Sequence, residues 1–204
     1  MVSLQEMNDF TQRRKGAKLR QASNMNPEIQ ERAARIRLLL MDVDGVLTDG
    51  HLINVPGPDG KMVETKAFDS QDGIALQWLN WHGIQTGVIS GRVSPATEER
   101  ARQVRMTYVY QGHIEKIPIL EEIFAKSGIP FAETAYVGDD LTDIVVMRRV
   151  GLAIAPANSR PEVKRTAQYV TAAAGGSGAV REVVEMLLKA QGHWADILRK
   201  YEAE

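Results

Sequence analysis

Four apolar residues, Leu38-Leu39-Leu40-Met41, run without a break into Asp42-Val43-Asp44-Gly45. So short a run without charge predicts a strand buried on both faces, which belongs inside a sheet covered by helices on both sides. Asp42 and Asp44, one residue apart, leave an extended backbone on the same side, with Val43 on the other. Two carboxylates that close repel unless a proton or a cation sits between them. The plain alternative is a polar turn out of the strand, since aspartate and glycine are turn formers. The rest of the chain bears on that choice.

A chain of 204 residues is expected to form one domain with a full core. Its formal net charge of -1, from 25 basic and 26 acidic residues well mixed along the chain, leaves no footprint for nucleic acid or an anionic membrane. No cysteine is present, which excludes disulfides, thiolate catalysis and cysteine-ligated zinc. No stretch is apolar for long enough to span a bilayer, and the start of the chain lacks the apolar core of a signal peptide. A cytoplasmic protein is expected. The four histidines have no ligand spacing, so none is expected to bind a metal.

Residues 1–35 read as a polar extension, with a basic cluster at Arg13, Arg14, Lys15, Lys18 and Arg20 and a helix opened by Asn26-Pro27. The main domain is expected over 36–192 and a tail over 193–204. Within the domain, Pro56-Gly57-Pro58-Asp59-Gly60 separates two short segments and predicts a β-hairpin over about 51–68. Asp72-Gly73 is expected to open a helix reaching about His82. Strands are expected over 84–89, 107–110, 134–137, 151–155 and 168–170. Helices are expected over 95–104, from Lys116 to Ser127, and over 178–190. Strands alternating with helices predict an α/β fold with a doubly wound, mainly parallel sheet.

Polar residues fall where such a sheet binds ligands. Asp42 and Asp44, Ser90-Gly91, and Asp139 with Asp140 each follow an apolar strand, and Lys116 follows a fourth. In open α/β sheets the carboxyl ends of the strands meet at one crevice. The set supplies carboxylates for a hard cation such as Mg²⁺, a hydroxyl with backbone N–H groups, and one ammonium, as phosphoryl transfer requires.

Asp42-Val43-Asp44-Gly45-Val46, Ser90, Lys116, and Gly138-Asp139-Asp140 with Asp143 resemble, in order, the four motifs of the haloacid dehalogenase superfamily of phosphatases. Asp42 to Gly50, Tyr110-Gln111-Gly112, Ala135 to Leu141 and Gly178 to Glu182 resemble its capless family acting on 3-deoxy-D-manno-octulosonate (Kdo) 8-phosphate and related sugar-acid phosphates. The resemblance implies a Rossmann-like sheet with a hairpin inserted after the first strand and no cap domain. It implies Asp42 as nucleophile, Asp44 as general acid and base, and Ser90, Gly91 and Lys116 as holders of the phosphoryl group. Mg²⁺ would be bound by Asp42, Asp44 through its backbone carbonyl, and Asp139, with Asp140 or Asp143 supporting. The substrate would be a small phosphorylated sugar acid, and the assembly a homotetramer with each hairpin bordering a neighbouring site.

Three residues stay open at this level. Arg92 either meets a substrate carboxylate or pairs on the surface. Asp72 either caps its helix, as its residue type suggests, or lines the site, as the resemblance implies. Arg181, after the flexible glycine run 175–178, either forms a surface ion pair or reaches the site. A phosphoacceptor receiver module is the reading of a different class. It needs an aspartate closing a later strand, where this chain has Ser90 and Gln111. A non-catalytic relative is opposed by Asp42 and Asp44 themselves.

Overall fold

A computed structural model describes residues 26–203. The basic cluster at 13–20 lies outside them. Helix α1 (Pro27–Ala34) starts as expected, Asn26 accepting from the Glu28 N–H at 2.9 Å. The chain continues through β1 (Leu38–Met41), β2 (Ile53–Pro56), β3 (Met62–Thr65), α2 (Ser70–Trp81), β4 (Gln85–Ile89), α3 (Pro95–Gln103) and β5 (Tyr108–Tyr110). It ends with α4 (Lys116–Ser127), β6 (Thr134–Val137), α5 (Ile144–Met147), β7 (Leu152–Ala155), α6 (Pro161–Thr166), β8 (Tyr169–Val170), α7 (Ala179–Ala190) and α8 (Trp194–Lys200).

The sheet runs β5-β4-β1-β6-β7-β8 and every pairing in it is parallel. Pleating sends Leu39 and Met41 into a core with α2 and α7, and Leu38 and Leu40 into a second core with α4 and α5. All four strand residues are buried, because helices cover both faces. From β1 the chain winds out through β4 and β5, then returns to place β6 on the other side. Met41 pairs with Val88 of β4 and Val137 of β6, so Asp42, Ser90 and Asp139 emerge at one level around the switch point.

Four expectations need correction. Helix α2 begins at Ser70, because Asp69 is its N-cap and accepts from the Gln71 and Asp72 N–H groups at 2.6 and 3.1 Å. Asp143 ends a 3₁₀ turn (Leu141–Asp143) before α5 instead of lying within a helix. Residues 194–200, expected as part of a tail, form α8, with Trp194 edge-on to Trp78 at 5.8 Å between ring centroids. The glycine run at 175–178 is packed, not loose. A Cβ on Gly175 would lie 1.9 Å from the Gly45 carbonyl oxygen, an approach only glycine permits.

The hairpin forms a separate antiparallel pair, β2 with β3, outside the main sheet. Its Ile53, Val55, Met62 and Val63 are exposed, Met62 by 60%. Among the described residues no further domain covers the strand ends.

Candidate active site

The switch point opens into a cavity of about 310 Å³ lined by Asp42, Asp44, Ser90, Gly91, Arg92, Lys116, Asp139 and Asp140. Gly50, Ile114 and Thr142 complete its wall. Sequence spacing alone did not single out those three.

Lys116, at the first position of α4, is buried and donates to Asp42 Oδ1 at 2.9 Å and to Asp143 Oδ1 at 2.7 Å. It also donates to the Tyr136 hydroxyl at 3.1 Å, and that hydroxyl donates to Asp143 Oδ1 at 2.7 Å. Asp143 Oδ2 accepts the Asp139 and Asp140 N–H groups at 3.0 and 3.1 Å. Asp143 thus spends both oxygens tying the loop after β6 to Lys116, while Asp140 caps its 3₁₀ turn through the Leu141 N–H at 2.7 Å. Burial works against the Lys116 ammonium, yet Asp143 and Asp42 outweigh it and raise its pKa.

The carboxylates facing the cavity are the strained part of this network. Burial, reinforced by Asp143 and Asp42, pushes Asp139 up to about 8. Burial also raises Asp42, with Lys116 opposing it. Asp139 Oδ1 is buried without a hydrogen-bond partner, and Asp42, Asp139 and Asp143 each bring an oxygen within 4.8 Å of the other two. An all-oxygen set with an unpartnered carboxylate oxygen fits Mg²⁺, which takes one or two carboxylates and fills its octahedron with water and phosphate oxygens.

The loop after β1 is held from behind. Asn158 donates to the Gly45 carbonyl at 2.9 Å and accepts the Gly175 N–H at 2.7 Å, while the Gly176 N–H reaches the Val46 carbonyl at 3.0 Å. In front, the buried Lys66 at the root of the hairpin pairs with Asp44 and, at 3.1 Å, with Glu64. Glu64 in turn pairs with Arg92. Arg92 therefore lines the cavity and holds an ion pair at once. The Arg92 N–H donates to Ser90 Oγ at 3.2 Å, fixing the turn after β4.

Asp72 and Arg181 are placed elsewhere. Asp72 is buried beneath α7, Oδ1 accepting the Arg181 N–H at 2.7 Å, so it serves the first turn of a helix whose N-cap, Gly178, has no side chain to do so. The Arg181 guanidinium lies 4.1 Å from the centre of the Trp78 ring and donates to Glu185 at 2.7 Å. Neither lines the cavity. Tyr136, Lys66 and Asn158 were not foreseen in the sequence. Only Tyr136 carried a signal, since a hydroxyl in the middle of a buried strand needs a partner.

A profile of the haloacid dehalogenase-like hydrolases matches residues 96–183. The chain is 42% identical over 168 residues to the 3-deoxy-D-manno-octulosonate 8-phosphate phosphatase of Salmonella typhimurium, covering 82% of this chain and 87% of that protein. It is 42% identical over 164 residues to the phosphatase of that name from Yersinia pestis, covering 80% and 86%. Among solved structures, the Moraxella catarrhalis phosphatase in complex with magnesium ion, phosphate ion and KDO aligns with a TM-score of 0.81 at 38% identity, over 87% of this chain and 99% of that one. The cobalt-bound Haemophilus influenzae phosphatase aligns with a TM-score of 0.74 at 33% identity, over 80% and 94%.

Proposed function

Because the chain belongs to the haloacid dehalogenase superfamily and groups with its capless Kdo 8-phosphate phosphatases, we propose that it hydrolyses Kdo 8-phosphate to Kdo and phosphate through an aspartyl-phosphate. The observation that carries the reading is the meeting of Asp42, Asp44, Lys116 and Asp139 around one cavity at the switch point. A cavity of about 310 Å³ walled mainly by charged and polar side chains supports a small phosphorylated substrate.

Asp42 attacks phosphorus in line, forming an Asp42 O–P bond while the bond to the sugar oxygen breaks. Asp44 gives its proton to the departing alkoxide. Water then attacks the aspartyl-phosphate, Asp44 takes the water's proton, and phosphate leaves with the Asp42 carboxylate restored. Lys116 fixes the Asp42 side chain and offers positive charge to the equatorial oxygens. Ser90 Oγ and the Gly91 N–H line the same wall as phosphate donors. Asp42, Asp139 and the Asp44 carbonyl would hold Mg²⁺, which supplies charge neutralisation at the phosphoryl group. Asp140 and Asp143 support the loop that carries Asp139.

The proposed assembly is a homotetramer in which the hairpins pack together, each bordering a neighbour's site. A two-stranded ribbon is marginal alone, and the exposed side chains of β2 and β3 give it apolar surface to bury. A panel of sugar and sugar-acid phosphates ranked by kcat/KM tests the substrate. Kdo 8-phosphate is expected first, and a lead for the 9-phosphate of N-acetylneuraminate or KDN would transfer the reading to that substrate. Activity is expected to vanish in EDTA and return with Mg²⁺. Full turnover in chelator, or no phosphate release from any member, would refute the proposal.

A further inference from the structure

Far from the cavity, two histidines 111 residues apart in the chain come together, His82 at the end of α2 and His193 just before α8. Their rings stack at 4.3 Å between centroids, 20° from parallel, so one imidazole has to turn about its Cβ–Cγ bond before both in-plane lone pairs can meet a single ion. A ligand atom from each of His82, His193 and Asp196 lies within 4.8 Å of the other two. Both histidine backbones are anchored, the His82 N–H on the Leu79 carbonyl at 3.0 Å and the His193 N–H on the Leu188 carbonyl at 2.8 Å. The Asp196 N–H meets the His193 carbonyl at 3.1 Å, setting the carboxylate on the same turn. Spacing along the chain could not reveal this group, because the fold alone brings its members together.

We propose that His82, His193 and Asp196 form a second cation site, for Zn²⁺ or another divalent cation of its class, that clasps α8 to the end of α2. Two imidazole nitrogens and one carboxylate oxygen are a borderline-soft donor set, which favours Zn²⁺, Co²⁺ or Ni²⁺ over Mg²⁺. The carboxylates at the cavity offer oxygen alone and favour the harder ion. The two sites therefore sort cations by hardness. Both imidazoles must be neutral to ligate. Asp196 also pairs with Arg199, and a carboxylate has lone pairs for both a guanidinium and a metal. Without the ion, α8 is held chiefly by Trp194 against Trp78, by the buried Ile197, and by the Tyr201 hydroxyl, which accepts from Trp78 Nε1 at 3.3 Å. A metal there would add a direct link between the last helix and the core.

The full chain, held in excess Mg²⁺ to occupy the oxygen site, is titrated with Co²⁺ and then with Zn²⁺. The expected result is one equivalent of Co²⁺ with the intensified visible absorption of four-coordinate cobalt, displaced by Zn²⁺. Tm should rise by roughly 5 °C at metal concentrations about 100-fold above Kd. His82→Gln and His193→Gln should lose the band and the Tm rise, and so should Asp196→Asn, a change at a solvent-facing carboxylate that leaves packing intact. Asp139→Asn should keep both. No cobalt beyond what Mg²⁺ displaces, or equal cobalt uptake by the wild type and Asp196→Asn, would overturn the site.

Discussion

Gly45→Ala is expected to disable the enzyme by moving a carboxylate it never touches chemically. A Cβ at Gly45 would lie 2.0 Å from Asp139 Oδ2 and 2.5 Å from its Cγ. Ordinary contact begins at 3.4 Å, so the two must part by about 1.4 Å (3.4 − 2.0). The loop has little room to recede, since its Gly45 carbonyl is backed by Gly175 and held by Asn158. Asp139 moves instead, its backbone kept in place by the Arg160 N–H on its carbonyl at 3.0 Å while its side chain swings. A displacement of about 1 Å at a catalytic group costs about 10²-fold in rate. The φ of +90° at Gly45 adds about 1–2 kcal/mol of strain for any residue with a Cβ. Gly83→Ala separates the two effects, for Gly83 has φ +73° with nothing within 4 Å of an added Cβ. Gly83→Ala should lower Tm and keep kcat/KM, whereas Gly45→Ala should lower Tm, cut kcat/KM by about 10²-fold or more, and raise the Mg²⁺ concentration for half-maximal rate. A folded Gly45→Ala enzyme within about threefold of wild-type kcat/KM would refute the claim that this contact positions Asp139.

Asp42→Asn keeps the shape and loses the nucleophile, so turnover should fall by about 10³-fold or more while the fold persists; retention within about tenfold would end the covalent scheme. Lys116→Met leaves the Asp42 and Asp143 carboxylates without their shared ammonium, and should cost about 3–5 kcal/mol in urea unfolding as well as activity, an unchanged midpoint being the contrary result. Replacing Ile53 to Met62 by a Gly/Ser turn should give smaller folded species by light scattering, impaired on sugar-acid phosphates and relatively spared on p-nitrophenyl phosphate; a wild-type monomer fully active on a small sugar phosphate would refute the shared-site assembly. Burial pushes Asp72 up to about 6, above its unfolded value of 3.8, so the folded state binds the extra proton and stability falls as pH rises through that window, by about 3 kcal/mol. Asp72→Asn should flatten that fall in denaturant titrations between about pH 4 and about pH 7, and an identical pH profile in the two proteins would rule the assignment out.

The parts of this protein that could be read from sequence are those whose cause is local. Leu38 to Met41 are apolar because both faces of β1 are covered, and the abrupt change at Asp42 marks where cover ends and the crevice begins. Ser90 and Asp139 were legible for the same reason, as each leaves a buried strand at its carboxyl end. Asp72 was not, since its partner is the Arg181 N–H, 109 residues further on, and only the packing of α2 on α7 brings the two together. Lys66 and Asn158 likewise look like surface residues until the hairpin folds back and the loop after β7 closes behind Gly45. Helix α6 opens with Pro161 at a favoured position, but its six residues are too few to display a helical period.

The ion pairs around the cavity bear on the proposed preference for a sugar-acid phosphate over a neutral sugar phosphate. At the centre, Asp42, Asp139 and Asp143 face the single ammonium of Lys116, a formal deficit of two positive charges when all are ionised. A divalent cation cancels that deficit and makes room for a phosphoryl group. Beside it Asp44, Lys66, Glu64 and Arg92 form a chain of ion pairs that ends at the cavity wall. The outer member, Arg92, is 47% exposed, and exposed ion pairs contribute little, so exchanging Glu64 for a substrate carboxylate costs little. Glu64 would keep Lys66 as its partner after the exchange, so no buried charge is stranded. A guanidinium accepts a carboxylate in a two-pronged contact that a neutral sugar hydroxyl does not reproduce. On the proposed reading, a substrate bearing phosphate at one end and carboxylate at the other would engage both charge sets at once. A neutral sugar phosphate would engage only the first and leave the Arg92 pair as it was.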